Sequence, residues 1–173
     1  MAYAARYPQH IQHLLIVDSA APKWSDTLFL LKDIFPEGVA RQDAAEFASQ
    51  MGDKSAGERS LREYFSMLFY SPEKRDAALA KLTDAHENLE VNEAINHDLE
   101  RFDLNPELPK YAFPTIVMTG RFDINVAPVI AYKIHKSIPG SEFVVFEQSG
   151  HLPFYEEPDK FVKVVESFLA QGR

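Results

Sequence analysis

The sequence predicts an α/β fold of about three parallel strands with flanking helices and an inserted helical lid. Three short apolar runs, at residues 13–18, 114–120 and 142–147, are typical of buried parallel strands. Helical patterns separate these runs. Strand–helix–strand units of this kind imply parallel strands joined by right-handed crossovers. The predicted order is therefore helix, strand, helical segment, strand, helix, strand, helix.

Local patterns justify the flanking helices. Residues 1–7 favour helix, and Pro8 stops them. A second helix is predicted over 127–138, where a Pro-Gly pair closes it. Residues 158–169 should form an amphipathic helix, because their apolar side chains recur at helical spacing. These apolar positions are Phe161, Val164, Val165, Phe168 and Leu169.

The segment between the first two strands has a different character. Residues from about 20 to 110 hold helical stretches rich in aromatic residues, interrupted by proline and glycine. The interruptions fall at Pro36, Gly38, Gly52, Gly57 and Pro72. An insertion between two strands is where a lid over a site would lie. The predicted division is a core remnant at 1–19, a helical lid at 20–110, and a C-terminal core at 111–173.

Composition argues against several classes of function. Lysine and arginine total 18 against 26 acidic residues, for a net charge of −8. Nucleic-acid binding needs a basic face, so no nucleic-acid partner is expected. No run approaches the roughly 18 apolar residues of a membrane helix. The chain has no cysteine, which excludes thiol catalysis. The first ten residues lack the pattern of a secretion signal, so a cytoplasmic protein is expected.

Two polar loops each follow a predicted strand. Asp123 follows the second strand and His151 follows the third, 28 positions later. In open α/β sheets the functional crevice lies at the carboxyl ends of the strands, so the two side chains should share one edge. A carboxylate beside a histidine fixes its tautomer and stabilises the imidazolium formed when it accepts a proton. The pair is therefore a candidate acid and general base.

Each of these residues alone has an ordinary explanation. A single aspartate after a strand is usually a turn residue, and a single loop histidine usually packs against aromatic rings. Their joint occurrence at one predicted sheet edge favours the catalytic interpretation. The remaining histidines lack such a partner, and no pair has convincing metal-ligand spacing. We therefore expect neither a metal nor a cofactor.

Residues 120–123 (Gly-Arg-Phe-Asp), 149–151 (Ser-Gly-His) and 156–158 (Glu-Glu-Pro) resemble the end of an α/β-hydrolase. In that family the chain order is nucleophile, acid, then histidine. Residues 125–128 and 138–141 are similar to the proline iminopeptidases of this family. The resemblance implies that Asp123 is the triad acid and His151 the base. It also implies a hydrolase of small esters or N-terminal prolyl peptides.

The sequence departs from the family at the nucleophile. No G-x-S-x-G motif occurs, and residues 1–8 resemble the helix that follows this elbow. The chain therefore looks like the C-terminal portion of the fold, truncated before the usual serine. Ser19, after Asp18 at the end of the first strand, is a candidate substitute nucleophile. Alternatively, Asp18 and Ser19 simply begin the lid connection, and His151 activates water directly.

Two further functions remain open. The chain could be an inactive remnant that serves as an oligomeric scaffold, or half of an enzyme whose partner chain carries the serine. The strand at 13–18 would present an unpaired apolar edge, and such edges recruit other chains. We therefore expect a homo-oligomer, most simply a two-fold dimer. The aromatic side chains of the lid around Phe65, Phe69 and Tyr70 offer an alternative interface.

Overall fold

The computed structural model describes residues 1–82, 89–99 and 101–171. Three strands alternate with helices along the chain. The strands are β1 (Leu14–Val17), β2 (Thr115–Gly120) and β3 (Glu142–Phe146). The core helices are α1 (Ala2–Arg6), α7 (Pro128–Ser137), α8 (Pro153–Glu156) and α9 (Pro158–Ala170). The helices of the segment predicted to be a lid, between β1 and β2, are α2 (Leu31–Ile34), α3 (Pro36–Gln50), α4 (Ala56–Ser66), α5 (Pro72–Lys81) and α6 (Leu89–Leu99).

The three strands form one parallel sheet in the order β1-β2-β3. Leu15 pairs with Ile116, and Ile116 pairs in turn with Glu142. All six residues of the central strand β2 are buried, because helices cover both faces of the sheet. Buried parallel strands of this kind have the continuous apolar character on which the prediction rests. The predicted α/β fold of three parallel strands is confirmed.

Alternating side chains of β2 supply the two halves of the core. Val117 faces one side, where it packs with Ile130 and Ile134 of α7. Ile116 and Met118 face the other side, where Phe168 of α9 covers them. This division follows from the period of two in a strand and the apolar stripe on each helix. The α7 and α9 helices therefore hold β2 between them and fix the position of its carboxyl end.

The lid shows where the prediction of helix breaks was wrong. Gly38 lies inside α3 and Gly57 inside α4, whereas both were expected to interrupt helices. A side chain at Gly38 would place its Cβ 2.7 Å from the Sδ atom of Met67. Glycine therefore allows a close approach between α3 and the end of α4 that outweighs its low helix propensity. The predicted division of the chain into a core remnant, a lid and a C-terminal core, with boundaries at residues 19 and 110, stays a prediction.

The outer edge of β1 has no strand beside it within the described residues. The N–H groups of Leu14 and Asp18 donate to carbonyls of the neighbouring strand segment, at Pro114 and Met118. Because backbone groups alternate in direction along a strand, Leu15 and Val17 direct theirs toward the open edge. The structure thus has the edge that the sequence predicts, although an oligomer stays a prediction.

Candidate active site

Three polar side chains meet where the three strands end. Asp18 directly follows β1, Asp123 lies in the loop after β2, and His151 lies in the loop after β3. One ligand-type atom from each of these side chains lies within 4.8 Å of the other two. Parallel strands bring their carboxyl ends to one edge, so positions far apart in sequence converge there.

The Asp123–His151 pair has the geometry of an acid and a base. Nδ1 of His151 lies 2.8 Å from Oδ2 of Asp123. The other carboxylate oxygen, Oδ1, accepts the backbone N–H of Val126 at 2.9 Å, which fixes the carboxylate in place. A carboxylate at Nδ1 holds the proton on that nitrogen and leaves the lone pair on Nε2. Asp123 is 1% exposed, so its charge is weakly screened.

Asn125 is a site residue that the sequence analysis missed. Its Nδ2 lies 3.1 Å from Nε2 of His151, on the ring nitrogen that bears the lone pair. Burial raises the pKa of Tyr64 of α4, and the neighbouring Asn125 opposes this rise. Asn125 therefore lies between α4 and the ring of His151. Asn125 lies only two positions after Asp123, which could have indicated it as a site residue. The direction of its side chain, however, depends on the backbone of the loop after β2.

Asp18 is held in an unusual backbone conformation. Its φ angle is 41°, in the left-handed region that disfavours most side chains, although aspartate tolerates it better than most. Oδ1 accepts the backbone N–H of Gly120 at 2.9 Å, while Oδ2 is buried without a hydrogen-bond partner. Burial, followed by the negative charge of Asp123, raises the pKa of Asp18 from 3.8 to about 8.

Ser19 is next to this group but is not hydrogen-bonded to it. The Ser19 hydroxyl donates to the carbonyl oxygen of Ala20 at 3.2 Å. No hydrogen bond joins it to His151 in the part of the chain that the structure describes. Its role as a nucleophile stays a prediction. Ser149 is fully buried, and its hydroxyl donates to Glu157 at 2.7 Å, as suits a structural turn residue.

The cluster suits proton handling. Nδ1 of His151 is hydrogen-bonded to Oδ2 of Asp123, and a ring nitrogen that carries a proton has no lone pair to offer a cation. The expected absence of a metal or cofactor stays a prediction. What the arrangement offers chemically is a histidine whose Nε2 can accept a proton while a buried carboxylate stabilises the resulting cation.

Comparison with known proteins identifies the fold family. The sequence profile described as "alpha/beta hydrolase fold" matches residues 1–158. The chain belongs to this family. It is similar to the proline iminopeptidase of Saccharolobus solfataricus, with 37% identity over 73 residues, covering 42% of this chain and 23% of that protein. The resemblance to proline iminopeptidases noted from the sequence is therefore confirmed.

Longer alignments support the same conclusion. The proline iminopeptidase of Clostridium botulinum is 27% identical over 180 residues, covering 96% of this chain and 60% of that protein. A solved alpha/beta fold family hydrolase from Bacillus anthracis superposes with a TM-score of 0.77 at 22% identity, covering 96% of this chain and 62% of that one. The chain thus spans about 60% of the length of these two relatives.

In this α/β-hydrolase chain a buried glutamate joins the lid to the histidine loop. Glu156 is fully buried. Its Oε1 accepts the backbone N–H groups of Tyr70 and Ser71 at 2.9 and 2.8 Å, and its Oε2 accepts that of Gly150 at 2.6 Å. Lys74 donates to the Glu156 carbonyl. Buried charges are tolerated only when paired or hydrogen-bonded in this way.

The histidine loop also packs backbone against backbone. The N–H of His151 donates to the carbonyl of Leu68 at 2.8 Å. A Cβ on Gly150 would lie 2.3 Å from that same Leu68 oxygen. A Cβ on Gly120 would lie 1.8 Å from the carbonyl oxygen of Gly150. Only glycine permits these approaches, so both loops are held in register by positions without side chains.

An apolar cavity of about 210 Å³ lies beside the histidine loop of this α/β-hydrolase chain. The residue after His151, Leu152, lines it together with Phe154 and side chains of α4 and α5. The lid contributors are Phe65, Phe69, Ala78 and Leu79. Pockets of this kind bind apolar parts of small molecules.

None of the helices within the described ranges is long and apolar enough to span a bilayer.

Proposed function

We propose that this chain carries the acid–base half of a hydrolase for small esters or N-terminal prolyl peptides. His151 acts as the general base and Asp123 orients it. The observation that carries the proposal is the 2.8 Å contact between Nδ1 of His151 and Oδ2 of a buried carboxylate. The lone pair this contact leaves on Nε2 is the group that would accept a proton from a hydroxyl or from water.

The nucleophile is the open part of this proposal. The sequence contains no G-x-S-x-G motif. Within the chain itself, a water activated by His151 is the simplest nucleophile. Ser19 is the second, and its hydroxyl would have to leave the Ala20 carbonyl to reach the histidine. General-base assistance alone is worth about 10²–10⁴-fold, so activity should be seen first on an ester with a good leaving group.

The relatives suggest the substrate class. Proteins similar to this chain include proline iminopeptidases, and a solved structure with a TM-score of 0.71 is an enol-lactonase from Burkholderia xenovorans. The apolar cavity beside Leu152 suits an acyl or prolyl group better than a charged one. We therefore propose small, apolar acyl or prolyl substrates.

The experiment compares purified variants on p-nitrophenyl acetate and on a prolyl p-nitroanilide. His151→Ala should lose about 10²–10⁴-fold in rate, and Asp123→Asn should lose most of the same factor. His97→Ala is the matched control, since this histidine is 62% exposed. Ser19→Ala, beside the exposed Ser25→Ala, separates a serine nucleophile from water. Equal rates for His151→Ala and His97→Ala would refute a working base at this site.

A second candidate is a half-enzyme that needs a partner chain carrying the serine. One observation favours it: β1 has no strand beside its outer edge within the described residues. Mixing the chain with the N-terminal part of a full-length relative tests this candidate. Activity that appears only in the mixture and disappears with His151→Ala would support it.

Failure of both experiments would favour the third candidate, an inactive remnant that serves as an oligomeric scaffold. We propose a homo-oligomer for the isolated chain in either case, because Leu15 and Val17 face an edge of β1 that has no strand beside it within the described residues. The cytoplasmic location stays a prediction of the sequence.

A further inference from the structure

The site holds one more acid than an acid–base pair requires. Asp18 and Asp123 are 8% and 1% exposed, and both face the imidazole of His151. Two buried carboxylates this close repel each other when both are charged. The usual resolution is that one proton is shared between them, as in other carboxyl pairs.

Hydrogen bonding shows which of the two should keep the proton. Both oxygens of Asp123 accept hydrogen bonds, from the Val126 N–H and from His151 Nδ1, and these favour its charged form. Within the described residues, Asp18 accepts the Gly120 N–H through Oδ1, and the Thr119 hydroxyl also favours its charged form, but its Oδ2 has no hydrogen-bond partner. A buried oxygen without a donor becomes satisfied if it carries a proton and donates instead. The acceptor beside it is Asp123.

We propose that Asp18 is the neutral member of a carboxyl pair holding one proton, and that its O–H donates to Asp123 and so positions the acid of the Asp123–His151 pair. No bond is made or broken beyond this shared proton, which stays on Oδ2 of Asp18. Asp18 is a positioning residue here, because it acts on the histidine through Asp123. The inference deepens the proposed function and rests on it for its catalytic consequence only.

The surroundings of the pair agree with a neutral Asp18. Burial and the charge of Asp123 both raise the pKa of Asp18, to about 8, against the opposing hydrogen bonds of Gly120 and Thr119. Among the described residues, the other titratable groups that bear on the pair are His151 from the loop after β3 and Tyr64 from α4. The left-handed φ of 41° is the conformation in which this side chain faces the second carboxylate.

The first test reads protonation and needs no turnover. In protein labelled with ¹³C at aspartate carboxyl carbons, one resonance should titrate near pH 8, well above the ordinary range of an aspartate. Asp18→Asn should remove the late-titrating resonance. The exposed control Asp33→Asn should leave it in place. A spectrum in which every aspartate titrates in the ordinary range would overturn the proposal, as would a late resonance that survives Asp18→Asn.

The second test separates positioning from mere packing. Asparagine keeps an N–H donor toward Asp123, whereas glycine removes the side chain and accepts the left-handed backbone without strain. The proton resonance of His151 Nδ1–H should therefore persist at neutral pH in Asp18→Asn and be lost or shifted in Asp18→Gly. Identical His151 signals in the two variants would contradict the proposal. Both readouts stand even if the chain hydrolyses nothing, so this inference and the proposed function fail independently.

Discussion

The carboxylate of Glu156 accepts the backbone N–H of Gly150 over 2.6 Å, one residue before the candidate base His151. The same side chain accepts the N–H groups of Tyr70 and Ser71, which lie between helices α4 and α5. One buried side chain therefore fixes both the lid and the histidine loop. Its removal should affect stability and the site together.

Replacing Glu156 by alanine should destabilise the fold strongly. Three backbone N–H groups would lose their acceptor, and each unsatisfied buried group costs about 1–3 kcal/mol. We expect a loss of at least about 3 kcal/mol in the free energy of unfolding, measured by urea denaturation. The matched control is Glu166→Gln, on an exposed face of α9, which should stay within about 0.5 kcal/mol of the parent. Similar values for the two variants would argue against an anchoring role.

A methyl group at Gly150 should separate the lid from the histidine loop. The added Cβ would lie 2.3 Å from the Leu68 carbonyl oxygen, a backbone atom that cannot move by side-chain rotation. Gly150→Ala should therefore lower the melting temperature and weaken protection of the His151 amide in hydrogen exchange. Gly57→Ala is the control, since its Cβ would meet only the Ser49 hydroxyl at 3.2 Å. That helical substitution should be neutral or stabilising by up to about 1 kcal/mol.

Asp18 should make the protein less stable as the pH rises toward 8. Its pKa is about 8 in the folded state, against an ordinary value of 3.8, so the folded state binds more protons between these limits. Stability from this group is full below about pH 4 and is lost as the pH rises through about 8. The expected slope is roughly 1 kcal/mol per pH unit. Urea denaturation across this interval should show the slope in the parent and a flatter curve in Asp18→Asn.

The open edge of β1 predicts self-association. Sedimentation at micromolar concentration should show a dimer, because Leu15 and Val17 direct backbone groups to an edge that no strand covers in the part of the chain that the structure describes. Leu15→Pro removes one of those N–H groups and leaves the bonds of Leu14 and Asp18 to the neighbouring segment in place. This variant should sediment as a monomer with an unchanged circular dichroism spectrum. A parent protein that is already monomeric would exclude edge pairing.

The sequence was sufficient to predict the parts of the fold governed by periodicity. The amphipathic helix predicted at 158–169 is α9, which spans Pro158–Ala170. The convergence of Asp123 and His151 follows from a topological rule, since parallel strands end at one edge. Such a rule depends on the order of the strands and helices, so small errors in their predicted boundaries do not change its result.

Features that depend on loop geometry were out of reach of the sequence. Asn125 contacts His151 only because the loop after β2 turns its side chain toward the ring. Glu156 is fully buried, although glutamates are almost never so unless paired, and its partners are backbone groups without a sequence signature. Gly38 was predicted to break a helix because the sequence does not show its tertiary contact with Met67.

The hydrogen bond from the His151 N–H to the Leu68 carbonyl has a consequence for engineering. A chimaera that exchanged the whole segment between β1 and β2 would also discard the acceptor that holds the candidate base. A transplanted segment would have to reproduce the backbone of residues 68–71, whatever else it changed. Substrate range in this scaffold is therefore best altered at the helices that line the apolar cavity, with the 68–71 stretch left intact.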